Sequence, residues 1–472
     1  MSVKISIIGA GSAVFSLRLV IDLCLTPNLE GSTISFMDID EGRLNAIHRL
    51  CQRYSEEAGN KLILEKTTDR RESLKGADFV INTALAAGHD RLRAGWEVAR
   101  SYGYRMGGSL HVMHDEAFWI NYYQFKLFDS VMQDVLELCP NAWYLMVDNP
   151  VLAGITYMGR KYPQAKIVGL CHGFSAIYKI ADLLGLDREH LTFQIPGVNH
   201  FVWATHIYHK GQDVFPLLDQ WIENESAKYW ETSKPSDYMG PVAVDLYKRF
   251  GVFPIGDTCN PGGGSWPYWY HVDDATEKRW HESPSNWYAE YFGSLAGNIA
   301  QIKQVGETYM GGRDWGGSGR TEIDQIKQIS ENNQTKVMEV FPPKMSGEVM
   351  VPMIEALACD IPRVLVGNIP NSGDFVPGVP RNFAVEIPTL VSKRGVQGIK
   401  TDGLPEPLIA HILRDRVAPI EVELEAYEIG SKKLLEQLIL MDPYTHSMDQ
   451  ARNMLDEILA LPFHEEMRQH YR

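Results

Sequence analysis

The sequence predicts an α/β protein, a doubly wound parallel sheet followed by a second α+β domain, and three observations predict it. The chain opens on an apolar strand, Val3-Lys4-Ile5-Ser6-Ile7-Ile8, that runs into Gly9-Ala10-Gly11-Ser12. Short apolar strands then alternate with helical stretches, the pattern of a parallel sheet with helices on both faces. After about residue 195 the pattern changes, becoming rich in Trp, Tyr, Gly and Pro around 228–270 and predominantly helical from about 407 to the end. The division is placed there, between residues 1–195 and 196–472.

The elements follow in order. Leu17, Val20, Ile21 and Cys24 recur at the spacing of a helix face directly after the glycine turn. Ile34-Ser35-Phe36-Met37 reads as a second strand ending at Asp38, and Ile47, Leu50, Cys51 and Tyr54 make the stripe of a second helix. Residues 77–83, 143–147 and 166–170 are further short apolar strands. Two Gly-rich stretches, 261–264 and 310–319, read as loops.

A chain of 472 residues is long enough for two domains around sizeable cores. Its net charge of −15 disfavours nucleic acid, which needs a dense basic face. A small anionic substrate stays compatible, because a few well-placed cations reverse the field inside a cleft. No run of about 18 apolar residues predicts a membrane span, and Met1-Ser2 passes straight into the strand without signal-peptide features. A cytoplasmic protein is expected. The six cysteines form no CxxC pair and no disulfide spacing, so reduced thiols are expected.

Gly9 and Gly11 let the backbone turn tightly against a pyrophosphate at the following helix terminus, with Ser12 beside it. The third glycine of the usual fingerprint is Val14 here. Asp38, at the end of the second strand, is placed to accept from both ribose hydroxyls and to repel the extra phosphate of NADP. Asn82 and Thr83 end a third strand over the same crevice. These residues predict a Rossmann-type domain binding NAD.

In an open parallel sheet ligands bind beyond the carboxyl ends of the strands. Those ends are polar here: Asp148-Asn149-Pro150, Cys171-His172-Gly173 and Gly197-Val198-Asn199-His200. A cysteine and a histidine from different segments can hold a divalent metal and leave positions open for substrate oxygens, so Cys171 and His200 are the candidate ligands.

Together with Gly9-Ala10-Gly11-Ser12 and Asn368-Ile369-Pro370-Asn371-Ser372-Gly373, these segments resemble family 4 of the glycoside hydrolases over almost the whole chain. The resemblance implies a lactate/malate dehydrogenase-like fold, NAD, a divalent metal (usually manganese), and a homodimer or homotetramer. It also implies an unusual chemistry: transient oxidation at sugar carbon 3, removal of the carbon 2 proton, elimination at carbon 1, then addition of water and return of the hydride. Ligand preferences alone would favour zinc at a Cys/His site, so manganese rests on the resemblance.

Within the resemblance, Asn149 and Asn199 are substrate contacts and Asp257 of Ile255-Gly256-Asp257 is the base; His172, beside a metal ligand, is the candidate acid at the leaving group or else orients Cys171. Asp257 also reads as a turn carboxylate capping the Gly-rich stretch after it, and many family members use a tyrosine, so Tyr268 and Tyr270 stand in reserve. Cys171-His172-Gly173-Phe174 departs from the Cys-Asp-Met-Pro and Cys-Asn-x-Pro of phosphoglucoside branches and from Cys-His-Glu of the α-galactoside and α-galacturonide branches. It looks most like the α-glucuronidase branch, as do Pro254-Ile255-Gly256-Asp257-Thr258 and Leu461-Pro462-Phe463. A sugar carboxylate requires a cation, for which Arg313 and Arg320 are available. The alternatives are an α-galacturonidase or α-galactosidase of the same family, a malate-type 2-hydroxyacid dehydrogenase with His200 as acid/base, and a silent NAD sensor, which leaves Cys171 and His200 unexplained.

Overall fold

The computed structural model describes residues 1–11, 13–259, 266–283 and 336–472. Strands β1 (Lys4–Ile8), β2 (Thr33–Met37), β3 (Ile63–Thr67), β4 (Phe79–Asn82), β5 (Trp143–Met146) and β6 (Lys166–Gly169) pair in parallel, in the order β3-β2-β1-β4-β5-β6. Both faces are covered by helices, so Ile5, Ile7 and Ile8 of β1 are all buried and the strand reads as a continuous apolar run. β3 is the edge strand. Its Glu65 and Lys66 face solvent, which blunts the open edge and deprives the segment of an apolar pattern in the sequence.

Beyond residue 190 the strands are β7 (Leu191–Gln194), β8 (Gly197–Val198), β9 (Phe201–Ala204), β10 (His206–His209), β11 (Gln212–Asp213), β12 (Phe253–Ile255), β13 (Arg363–Pro370), β14 (Ala384–Ser392) and β15 (Gly395–Gly398). β13, β14, β8, β9 and β12 extend the sheet past β6, every new pairing antiparallel, and β15 pairs with β14. β7, β10 and β11 form a small separate sheet. Strands from both sides of residue 195 thus share one sheet and one continuous apolar core.

The sheet's register decides what meets at its carboxyl end. Asn368 pairs with Gly169, Glu386 with Gly197, and Ile255 with Val202, so the residues just past β6, β8 and β12 converge. A second apolar cluster joins the helix Gly88–Ser101 and the start of Phe118–Leu138 to the helices Lys432–Leu440 and Met448–Ala460. Glu423, on the helix Ala418–Ile429, accepts from Asn121 Nδ2 at 2.8 Å and meets His111 Nδ1 at 3.0 Å. That buried network ties the 102–117 loop to the C-terminal helices and holds it over the same end of the sheet. All six cysteines are free, and no helix among the described residues is long and apolar enough to cross a membrane.

Candidate active site

The crevice begins at the turn after β1. Gly9 has φ +84°, and a side chain there would place its Cβ 2.7 Å from the backbone of Ala84. Only glycine permits both the left-handed conformation and that approach. The Gly11 N–H donates to Asp38 Oδ2 at 2.7 Å, Asp40 N–H donates to Asp38 Oδ1 at 2.9 Å, and Arg43 Nη2 donates to the Gly11 carbonyl at 3.0 Å. Asp38 is thereby fixed at the end of β2, and each of its oxygens keeps acceptor capacity for a ribose hydroxyl. The Thr83 hydroxyl faces the carbonyls of Ile8 and Gly9 at 3.2 and 3.1 Å and clamps this turn to β4.

Asn82, expected to contact the cofactor, turns the other way. Its side chain is fully buried, Nδ2 donates to Tyr144 OH at 2.9 Å, and Oδ1 accepts from Ala84 N–H at 3.3 Å. It shapes the 83–86 turn from inside the core. Ser12 lies outside the described residues, as do Arg313 and Arg320.

On the far side of the crevice Cys171, His200 and Asp257 come together, with ligand atoms all within 4.8 Å of one another. Cys171 follows β6. Asn199 and His200 are the two-residue turn between β8 and β9, and His200 sits at φ +58°, an uncommon conformation for a non-glycine residue that tends to mark functional sites. Asp257 follows β12 through Gly256, whose φ is +56° and whose Cβ, if present, would lie 2.1 Å from the Gly173 carbonyl. Glycine at 256 therefore lets the Asp257 turn abut the segment that carries Cys171.

Burial sets the protonation of this group. His200 is pushed down to about 3 and is neutral, while Asp257 is pushed up to about 6. The Cys171 thiol is raised well above its usual range by burial, then by the charges of Glu386 and Asp257. His200 Nδ1 lies 3.2 Å from Glu116 Oε1, and Nε2 lies 3.8 Å from Asp257 Oδ2. The approach to Glu116 is not a hydrogen bond, since Nδ1 and Oε1 are both buried without a partner among the described residues and burial pushes Glu116 up to about 8; Nε2 lies on the side where Cys171 and Asp257 converge. Asn199 Nδ2 donates to Glu386 Oε2 at 2.7 Å, and its Oδ1 is buried without a partner. One thiol, one neutral imidazole, one carboxylate and an orphaned amide oxygen are a donor set that fits a divalent cation.

His114, Asp115 and Glu116 form a second convergent group beside the first, their ligand atoms also within 4.8 Å. His114 Nδ1 lies 2.8 Å from Asp115 Oδ1, and its ring stands edge-on to that of His200 with centroids 6.1 Å apart. Asn149 Nδ2 reaches Asp115 Oδ2 at 3.5 Å, which places Asn149 in the same cleft. These three residues come from a loop between two helices, so a reading that looks past strand ends does not find them. The polar run His111-Val112-Met113-His114-Asp115-Glu116 ahead of an apolar helix is the signal they leave.

His172 stands at the mouth, half exposed, with Nδ1 3.4 Å from Glu348 Oε1, and that carboxylate raises its pKa. Tyr270 is not available as a base: it is buried and its hydroxyl donates to Asp245 Oδ2 at 2.5 Å. Tyr268 packs against Tyr444, with centroids 6.1 Å apart. Among the described residues Tyr238 does reach the cluster, its hydroxyl donating to Asp257 Oδ1 at 3.5 Å.

A family model described as "Family 4 glycosyl hydrolase" matches residues 4–186, and one for the C-terminal domain of the same family matches residues 195–445. An alpha-galactosidase of Bacillus subtilis is 24% identical, with 97% of each chain covered. An alpha-galacturonidase of Thermoanaerobacterium saccharolyticum is also 24% identical, over 97% of this chain and 95% of its own. Among solved structures, a 6-phospho-alpha-glucosidase from gut microorganisms in complex with NAD and Mn2+ superimposes with a TM-score of 0.77 at 16% identity, covering 100% of this chain and 99% of that one. A malate dehydrogenase of Cryptosporidium parvum reaches 0.50 at 15% identity over 91% of this chain and 99% of that one, which is a likeness of fold. With both halves of the chain matched and the convergent cluster at the carboxyl end of its sheet, this protein belongs to glycosyl hydrolase family 4.

Proposed function

We propose that this chain is an NAD- and divalent-metal-dependent α-glycosidase acting on an α-glucuronide, with manganese as the metal. The observation that carries the reading is the meeting of Cys171, His200 and Asp257 across the crevice from the Gly9–Gly11 turn. Support comes also from the NAD and Mn2+ named for the 6-phospho-alpha-glucosidase and from the uronide named for the galacturonidase relative. When bound, NAD supplies a hydride acceptor for carbon 3 and the metal a Lewis acid for the oxygens of carbons 2 and 3.

The residues divide the remaining work. Gly9, Gly11, Asp38 and Thr83 form the dinucleotide seat, and Cys171 and His200 hold the metal. Asn149 contacts substrate hydroxyls and Asn199 steadies the thiolate and the bound oxygens. Asp257, ionised above about pH 6, takes the proton from carbon 2. His172, held protonated longer by Glu348, gives a proton to the departing oxygen.

The test is incubation with p-nitrophenyl α-D-glucuronide, NAD+ and Mn2+ under reducing conditions, following phenol release and NADH absorbance together. Phenol release that needs both additions, with no net NADH, is expected. Stoichiometric NADH with no phenol would overturn the reading, and release from the α-galacturonide alone would replace the substrate.

Metal binding is expected to be proton-linked. Near pH 7.5 His200 is already neutral and Asp257 already ionised, while the Cys171 thiol still holds its proton. Coordination as thiolate therefore releases about one proton, and affinity rises roughly tenfold per pH unit. Calorimetry of Mn2+ binding in two buffers of different ionisation enthalpy reads the proton directly. A heat independent of the buffer contradicts a thiolate ligand.

A further inference from the structure

One buried cation near this cleft carries two N–H groups with no hydrogen-bond partner among the described residues. Arg416 lies in a π-helical turn, Leu413–Val417, in the C-terminal helical region, and is 1% exposed. Its Nε and Nη2 have no hydrogen-bond partner among the described residues. A guanidinium does not shed its proton in a protein, so it cannot be buried neutral, and an unpaired buried charge is strongly destabilising. Its neighbour Asp415, which accepts from Arg414 Nε at 2.6 Å and Trp266 Nε1 at 2.9 Å and meets His411 Nδ1 at 3.2 Å, and the buried Glu116 act on Arg416 through charge alone and give no hydrogen bond to Nε or Nη2.

Arg416 lies beside the cleft already described. The charge of Arg416 acts on both Glu116 and His200, and its Cζ lies 5.7 Å from the ring of Phe201, next in sequence to His200. The π turn explains how it gets there: the wider turn shifts the helix phase, leaving Arg414 outside while Arg416 points inward.

We propose that the Nε–Nη2 edge of Arg416 binds the carboxylate of the sugar acid, an inference that rests on the uronide reading above. Those two N–H groups run parallel and match the two oxygens of one carboxylate. The molecule uses the same pair elsewhere, where Arg188 Nε and Nη2 grip the two oxygens of Asp182. A phosphate fits less well, because Asp115 and Asp257, the latter ionised above about pH 6, repel a dianion more than a monoanion. The same acidity explains why a permanent cation is kept there.

The test uses the NAD+- and Mn2+-loaded enzyme and two variants, Arg416→Lys and Arg416→Met. Binding of D-glucuronate, D-galacturonate and D-glucose is measured by calorimetry, with kinetics on p-nitrophenyl α-D-glucuronide and thermal unfolding alongside. Wild type is expected to bind a sugar acid in preference to glucose, and both variants to lose that affinity by about 30- to 100-fold, with KM rising more than kcat falls. Arg416→Met is expected to unfold near the wild-type temperature, since removal of a buried charge that lacks hydrogen bonds offsets the space left by a shorter side chain. Sugar-acid affinity within about threefold of wild type in either folded variant overturns the proposal, as does a wild type that prefers neither acid over glucose. Should wild type leave the glucuronide intact yet bind galacturonate through Arg416, the glucuronide assignment falls and the carboxylate site stands.

Discussion

Replacing Cys171 with serine is expected to lower kcat/KM by at least about 1000-fold, because on the proposed assignment it removes a soft ligand and with it Lewis-acid stabilisation worth several kcal/mol. Serine is nearly isosteric, so the β6 end and the Gly173–Gly256 contact persist and the fold is unaffected. NAD binding is expected to survive. The Gly9–Gly11 turn and Asp38 sit at β1 and β2, and β1 is three strand spacings, about 14 Å, from β6. Equilibrium dialysis of Mn2+ beside fluorescence titration of NADH separates the two effects. Activity retained at more than about a tenth of wild type would remove Cys171 from the metal site.

Asp257→Asn is expected to lower kcat by about 100- to 10,000-fold, the usual contribution of a positioned general base. The amide keeps the shape of the group and its contact with Tyr238, and it loses the ability to accept the carbon 2 proton. Exchange of that proton with solvent is expected to stop in the same variant. Because Asp257 lies within ligand distance of Cys171 and His200, the measurement includes Mn2+ affinity. Unchanged affinity with collapsed kcat identifies a base; rescue of activity by excess Mn2+ identifies a ligand and contradicts the assigned role.

What was legible in the sequence follows from range. The β1 turn and Asp38 are set by a local period, two glycines and one strand end, all within 40 residues, and the structure places them over one crevice. Cys171 and His200 were findable because the carboxyl ends of parallel strands are where ligands bind, whatever the details of packing. Asn82 shows the limit of that rule: it also ends a strand, and its side chain turns into the core because Tyr144 on β5 offers a buried hydroxyl. No sequence period announces such a pairing.

The His114-Asp115-Glu116 group, with only the 111–116 run to mark it, and Arg416, with nothing, were missed for a different reason. Both reach the cleft through tertiary packing, the first on a loop pinned by Glu423 and Asn121, the second on a helix whose phase is shifted by one π turn. Glu116 Oε1 is brought to 3.2 Å from His200 Nδ1, and Arg416 Cζ to 5.7 Å from the ring of Phe201, by contacts between distant segments. The continuation of the sheet across residue 195 is hidden likewise, since β13 and β14 return from the far end of the chain to pair with β6 and β8.

The central claim is that the bond at carbon 1 breaks by elimination after the carbon 2 proton has been removed. Hydrolysis of the α-glucuronide in deuterium oxide, with the released sugar acid examined by proton NMR, tests it most directly. The account predicts deuterium at carbon 2 of the product; a product with its original hydrogen fully retained there would contradict it.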